Sequence, residues 1–342
     1  MSRKILPIQF PPVNNCYSSS AGLTAVLQTH TSGQEMMLMN SIFLYVKSNN
    51  VLKYAVVERA KLGEQLEIIS QQALETKLIE QMSAWICEEK YIFMFLDHYF
   101  LRDSSRFQQQ HFLHDVALIY GYDEARGVFA AADNFTKGKY GCLELSYSEV
   151  EQARCLSGEK MLQEKVFNIL LFNMSKMREY YIDTRRIKQL LMDYLDSSCK
   201  HVLQMNDSFV DDNVFGFHFQ HQNYDVSRTV YGIGIYDWLV EYLNQGASAG
   251  IKLDIRPFHQ LSNHKAVLIM LMKHLAAKYG LHCEPAWLDI LEQMRIKCLV
   301  NEQLVLKYQI ERKEEYIRLI RHNLDGIRKS EAQVIQECIG KL

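Results

Sequence analysis

The spacing of apolar residues changes character near residue 170, and this change constrains the fold more than any other feature of the chain. Before it, short apolar runs alternate with turns, and residues 51–57, 91–96, 114–123, 128–132, 140–147 and 166–172 read as strands. Helices are expected among them from Cys16, over 35–47, over 71–89 (where Leu74, Leu78, Met82 and Trp85 share a face) and over 148–156. After the change, residues 183–196, 228–243, 259–279, 285–300 and 302–324 all carry helical periodicity. The expectation is an α+β protein with two parts. Residues 1–170 form a mixed domain with an antiparallel sheet, and residues 171–342 a helical domain. Residues 206–223 are the least regular stretch and read as a loop.

Composition narrows the class. With 48% hydrophobic and 23% charged residues the chain reads as a globular protein with a substantial core. No apolar run approaches the ~18 residues of a membrane span, and Pro7, Pro11 and Pro12 interrupt any signal-peptide core. Eight cysteines without paired spacing point to reduced thiols and a cytoplasmic setting. A net charge of −2 argues against general nucleic-acid binding. The charge is nevertheless uneven: residues 251–342 hold 15 Lys/Arg and 11 Asp/Glu, a face that suits solvent or an acidic partner.

Two stretches carry chemistry. The first is Pro11-Pro12-Val13-Asn14-Asn15-Cys16-Tyr17-Ser18. The prolines hold the approach extended, Asn14 and Asn15 are N-cap types, and Cys16 is expected at the first helical position. Unpaired amides and the positive end of the helix dipole stabilise a thiolate there. The second stretch is His114-Asp115-Val116-Ala117-Leu118-Ile119-Tyr120-Gly121-Tyr122-Asp123, a strand turning at 123–127 into one that ends Ala132-Asp133. In such a hairpin His114 and Asp133 fall at the same open end, whereas alternation sends Asp115 to the other face. Thiol chemistry needs this set: Cys16 to attack a carbonyl, His114 to move a proton, and Asp133 to hold the imidazole.

Cysteine, His-Asp strand and Ala-Asp strand, in that order, resemble the butirosin-biosynthesis H-type family, whose N-terminal domain is similar to bacteriocin-processing cysteine peptidases with a papain-like fold. The resemblance extends to residues 231–243 and to Asp254-Ile255-Arg256-Pro257-Phe258-His259 in the second half. It implies an acyltransferase or amide synthase of antibiotic or other secondary-metabolite assembly. The acyl group would pass from the phosphopantetheine thioester of an acyl or peptidyl carrier protein, through an acyl-Cys16 intermediate, to a small amine or diamine. No bound cofactor or metal is implied, and the helical domain would serve as lid, acceptor site or carrier dock. The peptidases' oxyanion-hole glutamine, six residues before the cysteine, falls on Phe10. Gln9 or Asn14 is left to complete the hole beside the Cys16 amide.

Two other readings compete: a cysteine peptidase or amidase acting on peptides, and a catalytically silent binding module. His218 and His221 lack partners at zinc spacing, and His111 lies ahead of the strand. Asp97-His98 reads as structural, and Tyr231-Gly232-Ile233-Gly234 lacks the third glycine and preceding strand of a nucleotide loop.

Overall fold

A computed structural model describes residues 2–46, 51–57, 59–70, 74, 77–113, 116–154, 168–205 and 229–342. It is a mixed α+β structure with antiparallel sheets and C-terminal helices, divided into two compact units that interleave along the chain. Of the described residues, 2–37 and 59–180 belong to the first unit, and 38–57, 181–205 and 229–342 to the second.

The first unit is built on a seven-stranded antiparallel sheet. Its strands are β1 (Arg3–Ile5), β4 (Leu66–Ser70), β5 (Lys90–Phe95), β6 (Val116–Asp123), β7 (Val128–Thr136), β8 (Lys139–Ser146) and β9 (Asn168–Asn173). The order is β4-β9-β5-β6-β7-β8, with β1 pairing the far end of β6. The central strands are continuous apolar runs because both faces are covered: Tyr91 to Leu96 are all buried. Strand β7 runs on through Asp133 to Thr136, past the expected end at 132. It then turns through Lys137 and Gly138, both at positive φ, as a two-residue hairpin requires.

Helix α1 (Ser18–Leu27) lies against one face of this sheet. A side chain begun on Gly22 would stand 2.9 Å from Phe93 Cε1 and 3.3 Å from Leu118 Cβ, so only glycine permits this approach. Gly22→Ala is expected to cost about 1–3 kcal/mol by overpacking a rigid core, read as a lowered midpoint in urea. Helices α3 (Arg59–Gly63), α4 (Leu78–Cys87) and α5 (Tyr147–Ala153) also belong to the unit, α5 starting on a reciprocal Ser146–Glu149 capping box. The expected helix over 71–89 is thus seen from Leu78 to Cys87; residues 71–73, 75 and 76 lie outside the described residues.

The second unit contains a strand pair that the sequence reading placed in the first domain. Helix α2 (Thr31–Met39) is shorter than expected, and residues 44–46 are strand β2 (Leu44–Val46), paired with β3 (Leu52–Tyr54) and β10 (Val230–Tyr231). What draws this segment into the helical unit is aromatic packing: Phe43 contacts Tyr194 and Tyr231, and Tyr54 contacts His264. The helices are α6 (Thr184–Leu195), capped by Asp183, α7 (Lys200–Met205), α8 (Ile235–Ala249), α9 (Arg256–Tyr279), α10 (Pro285–Glu311) and α11 (Glu314–Ile339). The break expected at residue 301 falls at Arg312-Lys313 instead. Asn301 is fully buried inside α10, where Asn323 donates to it at 2.8 Å, and a buried pair of this kind lets the helix continue. No helix among the described residues is long and apolar enough to cross a membrane.

Candidate active site

The approach to Cys16 is fastened to α1 and to the sheet. Gln9 N–H donates to Ala25 O, Val13 N–H to Gln28 Oε1, Leu6 N–H to Tyr120 O, and the Tyr91 hydroxyl to Pro7 O. These bonds hold the proline segment extended and deliver Cys16 to the start of the helix. The helix begins two residues later than expected, with Tyr17 as N-cap and no capping side chain. The reason is that Ser18, the first helical residue, turns its hydroxyl to the sheet and accepts the Val116 N–H at 3.0 Å. Cys16 is 7% exposed and Ser18 4%, so the thiol sits in an enclosed environment beside the helix start.

Of the two oxyanion candidates, Asn14 is 3% exposed, while Gln9 is an exposed residue. Phe10, where the peptidases carry glutamine, stacks on Tyr140 at 6.4 Å between ring centres. Tyr140 faces α1, its hydroxyl 3.4 Å from the position of a Gly22 side chain. Burial, and then the Asp133 charge, push its phenol well above the ordinary range.

His114 lies outside the described residues, as do His218 and His221. Asp133 is fully buried, and the imidazole it meets is that of His98: Nε2 stands 3.1 Å from Oδ2, while Oδ1 accepts the Asn134 N–H. Asp133 is therefore paired with His98; the expected Asp133–His114 pairing falls on a residue outside those described. Strand pleating explains it. Leu118 and Ala132 are cross-strand partners on the face that α1 covers. Asp133, one residue on, points to the opposite face. A one-residue bulge at Tyr120 turns Tyr122 to that same face, opposite Phe129, and its hydroxyl lies 3.0 Å from Cys87 Sγ at the end of α4.

His98 is 1% exposed and occupied on both nitrogens, Nδ1 lying 3.2 Å from Ser104 Oγ. Its ring packs between Phe112 and Phe135. Serine, histidine and aspartate stand in a row here, but enclosure and saturation make the row a structural clasp between the 98–104 segment and β7. His98→Ala leaves a buried carboxylate without its partner, and unfolding free energy is expected to drop by about 3–5 kcal/mol. Asp133→Asn, which keeps the shape, should lose less; an unchanged midpoint in either variant would contradict the clasp. His111, by contrast, is exposed, paired with Asp97 at 2.6 Å and stacked on Tyr99.

His98 carried a signal in the sequence, as part of Asp97-His98 at a strand end. Ser18 carried none, because its partner is 98 positions away. A scan of family models finds no match to the chain, and a search of curated proteins finds none either.

Proposed function

We propose that the chain is a thiol acyltransferase with a papain-like first unit, acting on carrier-bound thioesters and forming amides. The observation that carries this reading is the enclosed Cys16 thiol beside an uncapped helix start, clasped through Ser18 to the first residue of β6. The amides and dipole of a helix start favour a thiolate, and Asn14 is buried close by in sequence.

The chemistry requires two transfers. Cys16 Sγ attacks the thioester carbonyl, the bond to the pantetheine sulfur breaks, and that thiolate leaves with a proton from His114. An amine then attacks acyl-Cys16, a C–N bond forms as the C–S bond breaks, and His114 carries the proton from the amine to Sγ. One thioester is exchanged for another and then for a more stable amide, so no nucleotide is consumed. Asp133 acts as a positioning residue, holding β7 through His98. An enclosed thiol favours the amine over water as attacking group.

The experiment is intact-protein mass spectrometry after mixing with an acyl-loaded carrier protein. Wild type is expected to gain the acyl mass on Cys16 and to lose it when a diamine is added. A chain that gains no acyl mass but cleaves peptides would be a peptidase.

A further inference from the structure

A cavity of 730 Å³ opens in the second unit where three helix ends meet, far in sequence from Cys16. Its walls are the last turns of α8 (Asn244, Ala247, Ser248), the end of α10 (Tyr308, Arg312) and the first residue of α11, Glu314, with Arg321 two turns further along. Arg312 ends α10 in the left-handed conformation, and among the described residues its guanidinium forms no ion pair; it rests over the Tyr308 ring, 5.6 Å from the centroid. Arg321 is held by one Nη, which donates to Asn244 Oδ1. Its Nε–H is buried with no acceptor. Nε is enclosed, so the donor left to a ligand in the cavity is the other Nη, which makes no hydrogen bond among the described residues.

The remaining groups are mixed in sign, with a helix start set against the first-turn carboxylates Glu314 and Glu315. Helix α11 runs for 26 residues from Glu314, and its N-cap, Lys313, supplies no capping side chain, so the positive end of a long helix opens at the cavity. Lys313 is taken up by Glu311 at 2.6 Å, and Glu311 also accepts the Tyr316 hydroxyl. The charged side chains on the cavity are thus Arg312, Arg321 and the opposing Glu314.

We infer that this cavity binds a phosphate group carried on a small polar molecule. The free Nη of Arg321, the second guanidinium and the helix amides offer more donors than the two oxygens of a carboxylate can accept, whereas phosphate presents three or more. The volume leaves room beyond the anion for an organic portion against Tyr308. Glu314 disfavours a polyanion. The inference does not depend on Cys16.

The probe is inorganic phosphate, titrated by calorimetry and by thermal melting, with sodium chloride and acetate at equal ionic strength as controls. Phosphate is expected to bind saturably and to raise the melting temperature of the full chain, and acetate to do neither. Arg321→Gln should weaken phosphate by about tenfold or more, since a charged hydrogen bond is lost. Arg312→Gln, an exposed change that leaves the fold intact, should weaken it as well, and Glu314→Gln should tighten it. Absence of phosphate binding, equal effects of acetate, or binding unchanged in both arginine variants would each overturn the assignment.

Discussion

Glu331→Ala is expected to destabilise the second unit by about 3–5 kcal/mol, a large share of the margin that keeps an ordinary domain folded. Glu331 is fully buried on α11, bonded to Lys265 Nζ on α9 and accepting the Tyr236 hydroxyl from α8 at 2.5 Å. Lys265 is equally buried and also contacts His264 Nδ1 at 3.1 Å, while His264 Nε2–H donates to Ile42 O. Removing the carboxylate leaves an ammonium without a counter-charge among Tyr236, Tyr194 and Cys298, where water cannot reach it. Burial alone would raise the Glu331 pKa. The Lys265 charge and the hydrogen bond from Lys265 outweigh it and hold the group at about 2. Chemical denaturation measures the loss, and a change under about 1 kcal/mol would refute the account. Replacing Lys265, Glu331 and Tyr236 together (Lys265→Met, Glu331→Leu, Tyr236→Phe) should recover most of the stability, because it removes both charges at once.

The same cluster sets a pH dependence. Glu331 titrates lower in the folded than in the unfolded chain, so its contribution is complete above its ordinary pKa of 4.5 and is lost as pH falls toward 2. His264 is held below its ordinary 6.5, first by burial and then by the Lys265 charge. Its protonation favours the unfolded chain, so stability begins to fall below pH 6.5. Both slopes have the same sign. Urea unfolding should weaken from pH 7 to pH 4, and the triple variant should show a shallower decline.

The second large effect concerns Cys16. Cys16→Ala is expected to abolish the acyl adduct and to lower amide formation by about 10⁴-fold or more, since loss of a nucleophile leaves only binding and oxyanion stabilisation. Alkylation offers a check independent of substrate. Cys87 is exposed and serves as an internal reference in the same chain. Cys16 is expected to react faster with iodoacetamide at neutral pH although it is 7% exposed, because reactivity follows the thiolate fraction. A Cys16 slower than Cys87, together with no acyl adduct, would leave the binding-module reading standing.

Much of the secondary structure could be read from local pattern. Strands β5 to β9 are expressed in short apolar runs bounded by turns, and α6 in its Asp183 cap. Strand β1 is three residues long and β4 lies at the sheet edge with Ile68 exposed, so neither buries enough apolar surface to mark its sequence. The division at residue 170 separated strand-rich from helix-rich sequence, but it missed that residues 38–57 pack with the helices. No local pattern encodes which distant aromatic rings Phe43 and Tyr54 will meet.

At the site, sequence alone singled out Cys16 and a buried carboxylate at residue 133, because helix-start chemistry and strand-end motifs are local properties. Tertiary structure decided that this carboxylate meets His98, because alternation along a pleated strand and a single-residue bulge determine the face on which each side chain emerges. It also decided that Ser18 ties α1 to β6, and that Lys265 and Glu331, 66 positions apart, share one buried bond. Contacts at such separations depend on how the elements dock, and that is settled by the packing of the whole core.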